Sequence, residues 1–470
     1  MRILLLVPDG VAVRNYIYSD FIQELHQAHF EVVLYHQIPI LAIQEIKKIQ
    51  GDLITDYYRI PDFKERIISR ILRESIAYAR LLQNSNKLQN KTIMLFWNGK
   101  FKGFKRTILL RISELLGFCI SKNYSWILKL ENWYEASILE HPTTKIIEAG
   151  LAKINPDYIL NLHQRAVTTA PIIALAKKKG IKNGTVIFSW DNIPKARLLS
   201  KYDSYFVWSD WMQSEFKALY PEIKAETIKV VGTPQFEFYY KEQFQLSKEE
   251  FFTTYNLDIN KKTVCFSAND ASSPYEALYL EDLCESLMRI EEANRPQILF
   301  RKCPVDLSNR FDVVLKKYSQ LVISIDPDWR IASASENTFT EIYPSFLDIS
   351  LLVNTVLHSD MVVNLGSTMA HDFAVYNKPC LYLNYDPVNP STFKVKDVYG
   401  FQHFRSMQGM NPVGWINNRL DFKDKILQAL DNPTAIGQDR LQWMQKIVKH
   451  PLQNNSNNLV QEISTLCTSV

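Results

Sequence analysis

Residues 361–385 read MVVNLGSTMAHDFAVYNKPCLYLNY. Two short apolar runs, 361–365 and 380–385, are separated by a small polar turn, about three turns of helix-forming residues, and Asn377-Lys378-Pro379. Short branched runs on either side of a helical stretch spell a strand, a crossover helix and a parallel strand. A strand that enters a helix through Gly366, Ser367 and Thr368 offers backbone N–H groups, two hydroxyls and the positive end of a helix dipole, which suits an anion. Ser and Thr are equally favoured there as ordinary N-caps. On this stretch alone both readings stand. Asp372 falls inside the helix, facing either a cleft or solvent, and His371 reads as surface or packing.

The same alternation extends outward over most of the chain. In the first half the expected strands are 3–7, 31–35, 158–162, 185–189, 204–208 and 228–231, with a long helical region at about 61–150. In the second half they are 263–267, 298–301, 321–325, 361–365 and 380–384. Strands alternating with helices predict parallel sheets, and right-handed crossovers set every strand-to-helix turn on one edge, where such folds bind ligands. A chain of 470 residues exceeds what one core organises. The expectation is α/β with two Rossmann-like lobes facing a central cleft: an N-terminal lobe at 1–240, a polar linker at 241–262, and a C-terminal lobe at 263–470 carrying a helical tail.

Composition narrows the function classes. A net charge of +4 is too mild to imply a nucleic-acid partner. The six cysteines form no CxxC pair and have no histidine at ligand spacing, as expected of reduced thiols in a cytoplasmic protein. The opening run ends after five apolar residues at Pro8-Asp9-Gly10, shorter than a secretory core, and reads as a first buried strand. Glycine is scarce, with 14 residues, and neither G-x-G-x-x-G nor G-K-[ST] occurs. A nicotinamide dehydrogenase or a P-loop kinase is therefore not expected, and any phosphate must be held in another way.

Two further strand ends carry polar groups. ILFRKCPVD at 298–306 runs into Arg301 and Lys302, and VCFSAND at 264–270 ends in Ser267, Asn269 and Asp270. Arginine gives phosphate a bidentate contact and lysine a point charge. Three polar strand ends in one lobe fit a nucleotide diphosphate. At this point the run DISLLVNTVLHSDMVVNLGSTMAHDFAVYNKPCLYLNYD resembles the nucleotide-binding segment of GT-B glycosyltransferases. It is also similar to that of CDP-glycerol glycerophosphotransferases and UDP-N-acetylglucosamine 2-epimerases. Their pattern falls on Asp348, Asp360, Ser367-Thr368, Asp372 and Lys378-Pro379. FRKCP resembles their R-x-HP turn, with Cys303 where histidine is usual. FSWDNIPKARLLSKYDSYFVWSDWMQSEFKALYP, followed by IKVVGTPQFEFY, resembles bacterial surface-polysaccharide transferases of this superfold.

In the first half, Asp191 and Asn192 follow an expected strand, where a carboxylate could act as a base on an acceptor hydroxyl or serve as a loop cap. His163 and Arg165 follow another strand and reach the same edge. Asp9 and Arg14 flank the turn after the first strand, where the resemblance implies acceptor contacts. Asp191, His163 and Asp9 are thus the catalytic candidates, and Arg14, Arg165 and Asn192 the acceptor-binding ones. Asp326-Pro327-Asp328 imitates a D-x-D metal motif, but the proline at its centre favours a turn. The resemblance implies no metal and no cofactor, with a nucleotide-sugar donor entering as substrate.

Residues 91–130 carry eight Lys and Arg against one acid, Glu114, interleaved with Trp, Phe, Ile and Leu. Such a segment lies on an anionic membrane surface, or packs as a helix with a solvated basic face. The expectation is the membrane surface, with the protein peripheral on its inner face and the acceptor a glycan or lipid-linked sugar. The whole reading is a glycosyltransferase of cell-surface polysaccharide or glycolipid synthesis. Its rivals are a CDP-glycerol-type transferase, a 2-epimerase-like enzyme and a non-catalytic binding component of a synthesis complex.

Overall fold

The computed structural model describes residues 1–97, 103–331, 342–388 and 393–468. The chain divides into two compact units, one of Met1–Gln235 with Phe401–His403 and Ile447–Val470, the other of Phe236–Gly400 with Phe404–Lys446.

In the first unit the strands are β1 (Arg2–Val7), β2 (Glu31–His36), β3 (Asp56–Arg59), β4 (Tyr158–Asn161), β5 (Lys182–Val186), β6 (Ser204–Val207) and β7 (Ile228–Val230). They form one parallel sheet in the order β3-β2-β1-β4-β5-β6-β7. β1, β4 and β6 are almost wholly buried, which is why they read as unbroken apolar runs. β3 escaped the sequence because DYYR is a half-exposed edge strand with charged ends. Between β3 and β4 the expected helical region is present as helices Ile67–Lys87, Phe104–Ile120, Tyr124–Leu139 and Pro142–Ile154.

The second unit contains β8 (Thr263–Ser267), β9 (Gln297–Arg301), β10 (Val322–Ile325), β11 (Trp329–Ile331), β12 (Ile342–Pro344), β13 (Met361–Asn364), β14 (Cys380–Leu383) and β15 (Gly414–Ile416). Its parallel sheet runs β10-β9-β8-β13-β14-β15, and β11 pairs with β12 as an antiparallel ribbon. The decisive stretch is a βαβ unit, as read: β13 lies parallel to β14, joined by a helix. That helix, Met369–Val375, has only seven residues, shorter than the three turns expected.

Two boundaries differ from expectation. The polar stretch 241–262 is no linker: it carries a helix, Lys248–Thr254, whose Phe251 and Phe252 are buried with Leu257, Leu299 and Ile325 of the second unit. The tail does not join the second lobe. Helix Asn455–Thr468 buries Leu459, Val460 and Ile463 within the first unit, where Asn457 donates to Glu24 at 2.8 Å and Leu466 O accepts from Lys182 at 2.9 Å. The apolar spacing of that helix is masked in sequence by its run of asparagines.

Candidate functional site

Both sheets reverse direction at one place. Counted from its own first strand, the first sheet runs 3-2-1-4-5-6-7 and the second 3-2-1-4-5-6, so the crevice of each lies beyond the carboxyl ends of its strands one and four. In the first unit that point lies between β1 and β4, and in the second between β8 and β13.

At the first switch point stands a carboxylate–imidazole pair. Asp9 follows β1 and caps the turn Gly10–Ala12, its Oδ1 accepting from the N–H groups of Val11 at 3.1 Å and Ala12 at 3.2 Å. Its Oδ2 contacts Nδ1 of His163, which follows β4. Burial works to raise the Asp9 pKa, but the His163 contact and the two backbone N–H groups outweigh it and hold the carboxyl below its ordinary value. Phe188 sets its ring edge-on against the imidazole, centroids 4.2 Å apart. Nε2 of His163 is buried and has no hydrogen-bond partner among the described residues. An imidazole held at Nδ1 by a carboxylate, with Nε2 uncommitted, has the chemistry to accept a proton there.

The other first-half candidates gather at the same edge with different tasks. Asp191 is tied up: Ser189 donates to Oδ1 at 2.7 Å, Asn192 donates to it at 2.8 Å, and Lys195 pairs with Oδ2. Burial raises its pKa, yet Lys195, His403 and the hydrogen bonds bring it far below the usual carboxylate range. Both carboxylate oxygens of Asp191 are thus engaged within the protein. Asn192 accepts from Gln164 at 3.2 Å and Arg165 at 3.3 Å, which lie immediately after His163. Burial depresses the Arg165 pKa and Asp191 partly offsets it. Arg14 sits on a π-helical turn, Val13–Ile17, a form concentrated at functional sites, and donates to Asn15 at 3.0 Å. Gln164, Lys195 and His403 were not read from the sequence. Gln164 sat between two named residues, and Lys195 stood one helical turn after Asp191. His403 arrives from a distant segment to lie edge-on against Trp190, its pKa pushed down by burial to about 4.

At the second switch point, Asn269 donates its amide to Leu365 O at 2.7 Å, joining the ends of β8 and β13. Gly366 adopts φ +63°, and a Cβ there would stand 3.0 Å from Phe404 and 3.1 Å from Val398. Ser367 donates its N–H to Asn364 at 2.9 Å, and its hydroxyl accepts a long 3.4 Å contact from Met369 N–H. Thr368, at the N-cap position, makes no capping bond with its side chain. Ser267 is buried at the end of β8, and Asp270 accepts from Ser272 N–H at 2.9 Å in a local turn. Asp372 accepts from Tyr239 at 2.7 Å.

Arg301 and Lys302 differ from their expected role. The Arg301 side chain is 5% exposed and its Nη2 pairs with Asp348, itself fully buried, at 3.0 Å, while Nη1 has no partner among the described residues. Asp348 also accepts from Asp328 N–H at 3.0 Å and the Trp329 indole at 2.8 Å, so the pair clamps β9 to the loop after β10. Lys302 turns back onto the carbonyl of Ser308. A cation the sequence did not flag, Arg310, stitches the loop after β8: it donates to Asn269 O at 2.7 Å and pairs with Asp306 at 2.9 Å and Glu276 at 3.0 Å. Glu276 is fully buried, and burial pushes its pKa up to about 8 against the pull of Arg310. Asp306 and Arg310 stand four residues apart, but nothing local in the sequence joins them to Glu276.

His371 is buried against Trp443, centroids 4.2 Å apart, which matches the packing reading. Asp326-Pro327-Asp328 is a turn, with Trp329 N–H on Pro327 O at 2.9 Å and the Asp328 carboxylate engaged by Ser345. Among the described residues no three His, Cys, Asp or Glu gather as metal ligands.

No family model matches the sequence, and no curated protein does. Solved structures do match its fold. MnaA of S. aureus, in a co-structure with UDP, is 13% identical over 100% of this chain and 97% of that one, with a TM-score of 0.56. A UDP-GlcNAc 2-epimerase from Neisseria meningitidis bound to UDP-GlcNAc is 11% identical over 99% and 100%, with a TM-score of 0.52. A glycosyltransferase from Rickettsia africae is 12% identical over 100% and 98%, with a TM-score of 0.53. The likeness extends over the full length of both units and shows the GT-B fold, two Rossmann-like lobes in one chain.

Proposed function

We propose that the chain is a glycosyltransferase that moves a sugar from a nucleotide-sugar donor to a hydroxyl of a surface polysaccharide or glycolipid acceptor. The observation that carries this reading is the Asp9–His163 pair at the switch point of the first sheet, with Nε2 uncommitted. Activation of an acceptor hydroxyl needs a base of this kind. The fold's solved examples include proteins with UDP or UDP-GlcNAc bound, which supports a nucleotide-sugar donor.

In the proposed reaction, Nε2 of His163 takes the acceptor proton as the acceptor oxygen bonds to the anomeric carbon. The bond from that carbon to the diphosphate breaks, and its electron pair leaves with the nucleotide. Asp9, ionised and buried, stabilises the imidazolium that forms. The turn Gly366-Ser367-Thr368 and the Asn269 side chain stand at the second switch point, where the diphosphate is proposed to bind. Arg301 and Lys302, committed elsewhere, leave this list. We propose no resident metal or cofactor, so turnover is expected to persist in EDTA.

The test is a thermal-shift screen over nucleotides and nucleotide sugars, followed by product analysis with and without acceptor. Stabilisation by a nucleoside diphosphate and its sugar, with acceptor-dependent nucleotide release, is expected. An altered sugar formed from donor alone would replace transfer by epimerisation, and CDP-glycerol as the sole effective donor would replace the sugar by glycerol phosphate.

A further inference from the structure

Helix Phe104–Ile120 is apolar on both sides. Leu110, Ser113, Gly117 and Ile120 are buried, with Gly117 so close to helix Ile67–Lys87 that a Cβ would stand 2.7 Å from Ser75 O. The outward side carries Phe104, Ile108, Ile112, Leu115 and Phe118, all exposed, Phe104 to 79% and Leu115 to 68%. At 3.6 residues per turn these five fall within an arc of about 120°, opposite the buried four. On the next helix Trp126 and Trp133 are also exposed, but that helix packs through Ser69 and Arg80 on another side of helix Ile67–Lys87, so their stripe is a separate one. Exposed Ile67 and Ile68 open the helix packed alongside. A face this apolar is not left to water without a partner.

Its charge chooses the partner. Lys105 is exposed at the border of the arc and Arg111 within it, and Arg106 and Lys122 are exposed at the two ends of the helix. The acids near them are engaged: Glu114 accepts from the Trp97 indole at 2.8 Å and from Arg111, Glu131 pairs with Arg80, and Glu135 with Lys177. Two copies of the chain brought together on this face would oppose like charges. An anionic lipid leaflet matches both the apolar arc and its basic residues.

We infer that the outward face of helix Phe104–Ile120 docks on an anionic lipid leaflet. This deepens the proposed transfer by locating its acceptor at a membrane, and it rests on that reading only for the acceptor. Residues 98–102 of the basic segment 91–130 lie outside the described residues and take no part in the argument.

The test is co-sedimentation of the full chain with vesicles of phosphatidylcholine alone and of phosphatidylcholine with phosphatidylglycerol. The wild type is expected to pellet with the anionic vesicles and far less with the neutral ones. Ile108→Ser/Ile112→Ser/Leu115→Ser is expected to lower partitioning about tenfold or more. Lys105→Gln/Arg106→Gln is expected to lower it about thirtyfold on anionic vesicles and little on neutral ones. All substituted residues are exposed, and an unchanged melting temperature confirms folding. A wild type that stays in the supernatant with both vesicles overturns the inference, as do variants that pellet like wild type. A dimer in sedimentation velocity that the triple substitution splits would assign the face to a second copy and also overturn it. Nucleotide-induced thermal shifts are read without vesicles, so failure of the donor reading and failure of docking show separately.

Discussion

Asp9→Asn separates a positioning carboxylate from a mere cap. In the native protein one oxygen of Asp9 accepts two backbone N–H groups and the other faces Nδ1 of His163, which keeps the ring proton on Nδ1. An asparagine cannot serve both sides. With its oxygen on Val11 and Ala12, its NH2 faces Nδ1, which must then accept, and the proton moves to Nε2, where the base is lost. With the amide turned over, the tautomer is restored, but an NH2 confronts two N–H donors in a buried place. A buried donor without an acceptor costs about 1–3 kcal/mol. The competent arrangement is then about 5- to 150-fold less populated, and kcat should fall by that factor. His163→Ala, which removes the base outright, should lower kcat by roughly 10²–10⁴. The assay is release of nucleoside diphosphate from the best stabilising donor in the presence of acceptor, with donor affinity by calorimetry expected to be unchanged. The double variant should be no slower than His163→Ala, because the two residues act as one unit. Losses that multiply in the double variant, or a wild-type kcat in Asp9→Asn, would refute the dyad.

Other consequences follow from the second unit. Glu276 binds its proton in the folded state up to about pH 8 and loses it at ordinary carboxyl pH when unfolded, so its contribution to stability is complete in acid and fades as pH rises toward 8. Glu276→Gln should flatten the fall in melting temperature between about pH 5 and pH 8; an unchanged slope would show that Arg310 keeps the group ionised. Gly366→Ala forces a side chain into a left-handed backbone against Phe404 and Val398, with an expected cost of about 1–2 kcal/mol and weaker donor binding by calorimetry. Arg301→Ala leaves Asp348 buried without its cation, with an expected cost of about 3 kcal/mol and a melting temperature lower by roughly 6–12 °C, while donor KM stays constant. A raised KM at unchanged stability would return Arg301 to the donor site.

The parts of the fold legible in the sequence were those whose physics is local. Strands buried on both faces announce themselves as apolar runs, as β1, β4 and β13 do. The edge strands β3 and β15 do not, whereas β7 and β10, also at sheet edges, do, because IKVV and LVISI keep the branched apolar pattern that DYYR and GWI lack. Strand-end residues were legible as positions, since right-handed crossovers bring Asp9 and His163 to one edge wherever their strands pair. Their division of labour was not. Asp191 and His163 read alike as candidate bases, and only the fold puts Lys195, Ser189 and Asn192 around the first and leaves a buried, unpartnered Nε2 on the second. Long-range partners decided the cations in the same way. Arg301 became a clamp through a residue 47 positions later, and Arg310 became central through one 34 positions earlier.

The positions that carried the resemblance to nucleotide-sugar enzymes are largely scaffold here. Asp348 holds Arg301. Asp360 accepts Thr263 N–H at 2.8 Å and Lys262 at 3.0 Å, fixing the entry of β13 beside β8. Lys378 donates to three carbonyls, of Val356, Leu357 and Ser359, and so caps the helix Leu347–His358 that leads into β13. Each of these contacts sets the register or approach of the strands that form the second switch point. The pattern is therefore informative about the fold because it builds the crevice, and Gly366, Ser367 and Thr368 are the residues within it proposed to meet the diphosphate. It follows that Lys378→Met should act on stability: three carbonyls lose their donor, at about 1 kcal/mol or more each. Donor affinity per folded molecule should be retained, read as an unchanged calorimetric Kd well below the lowered melting temperature. A weakened Kd with an unchanged melting temperature would place Lys378 at the donor after all.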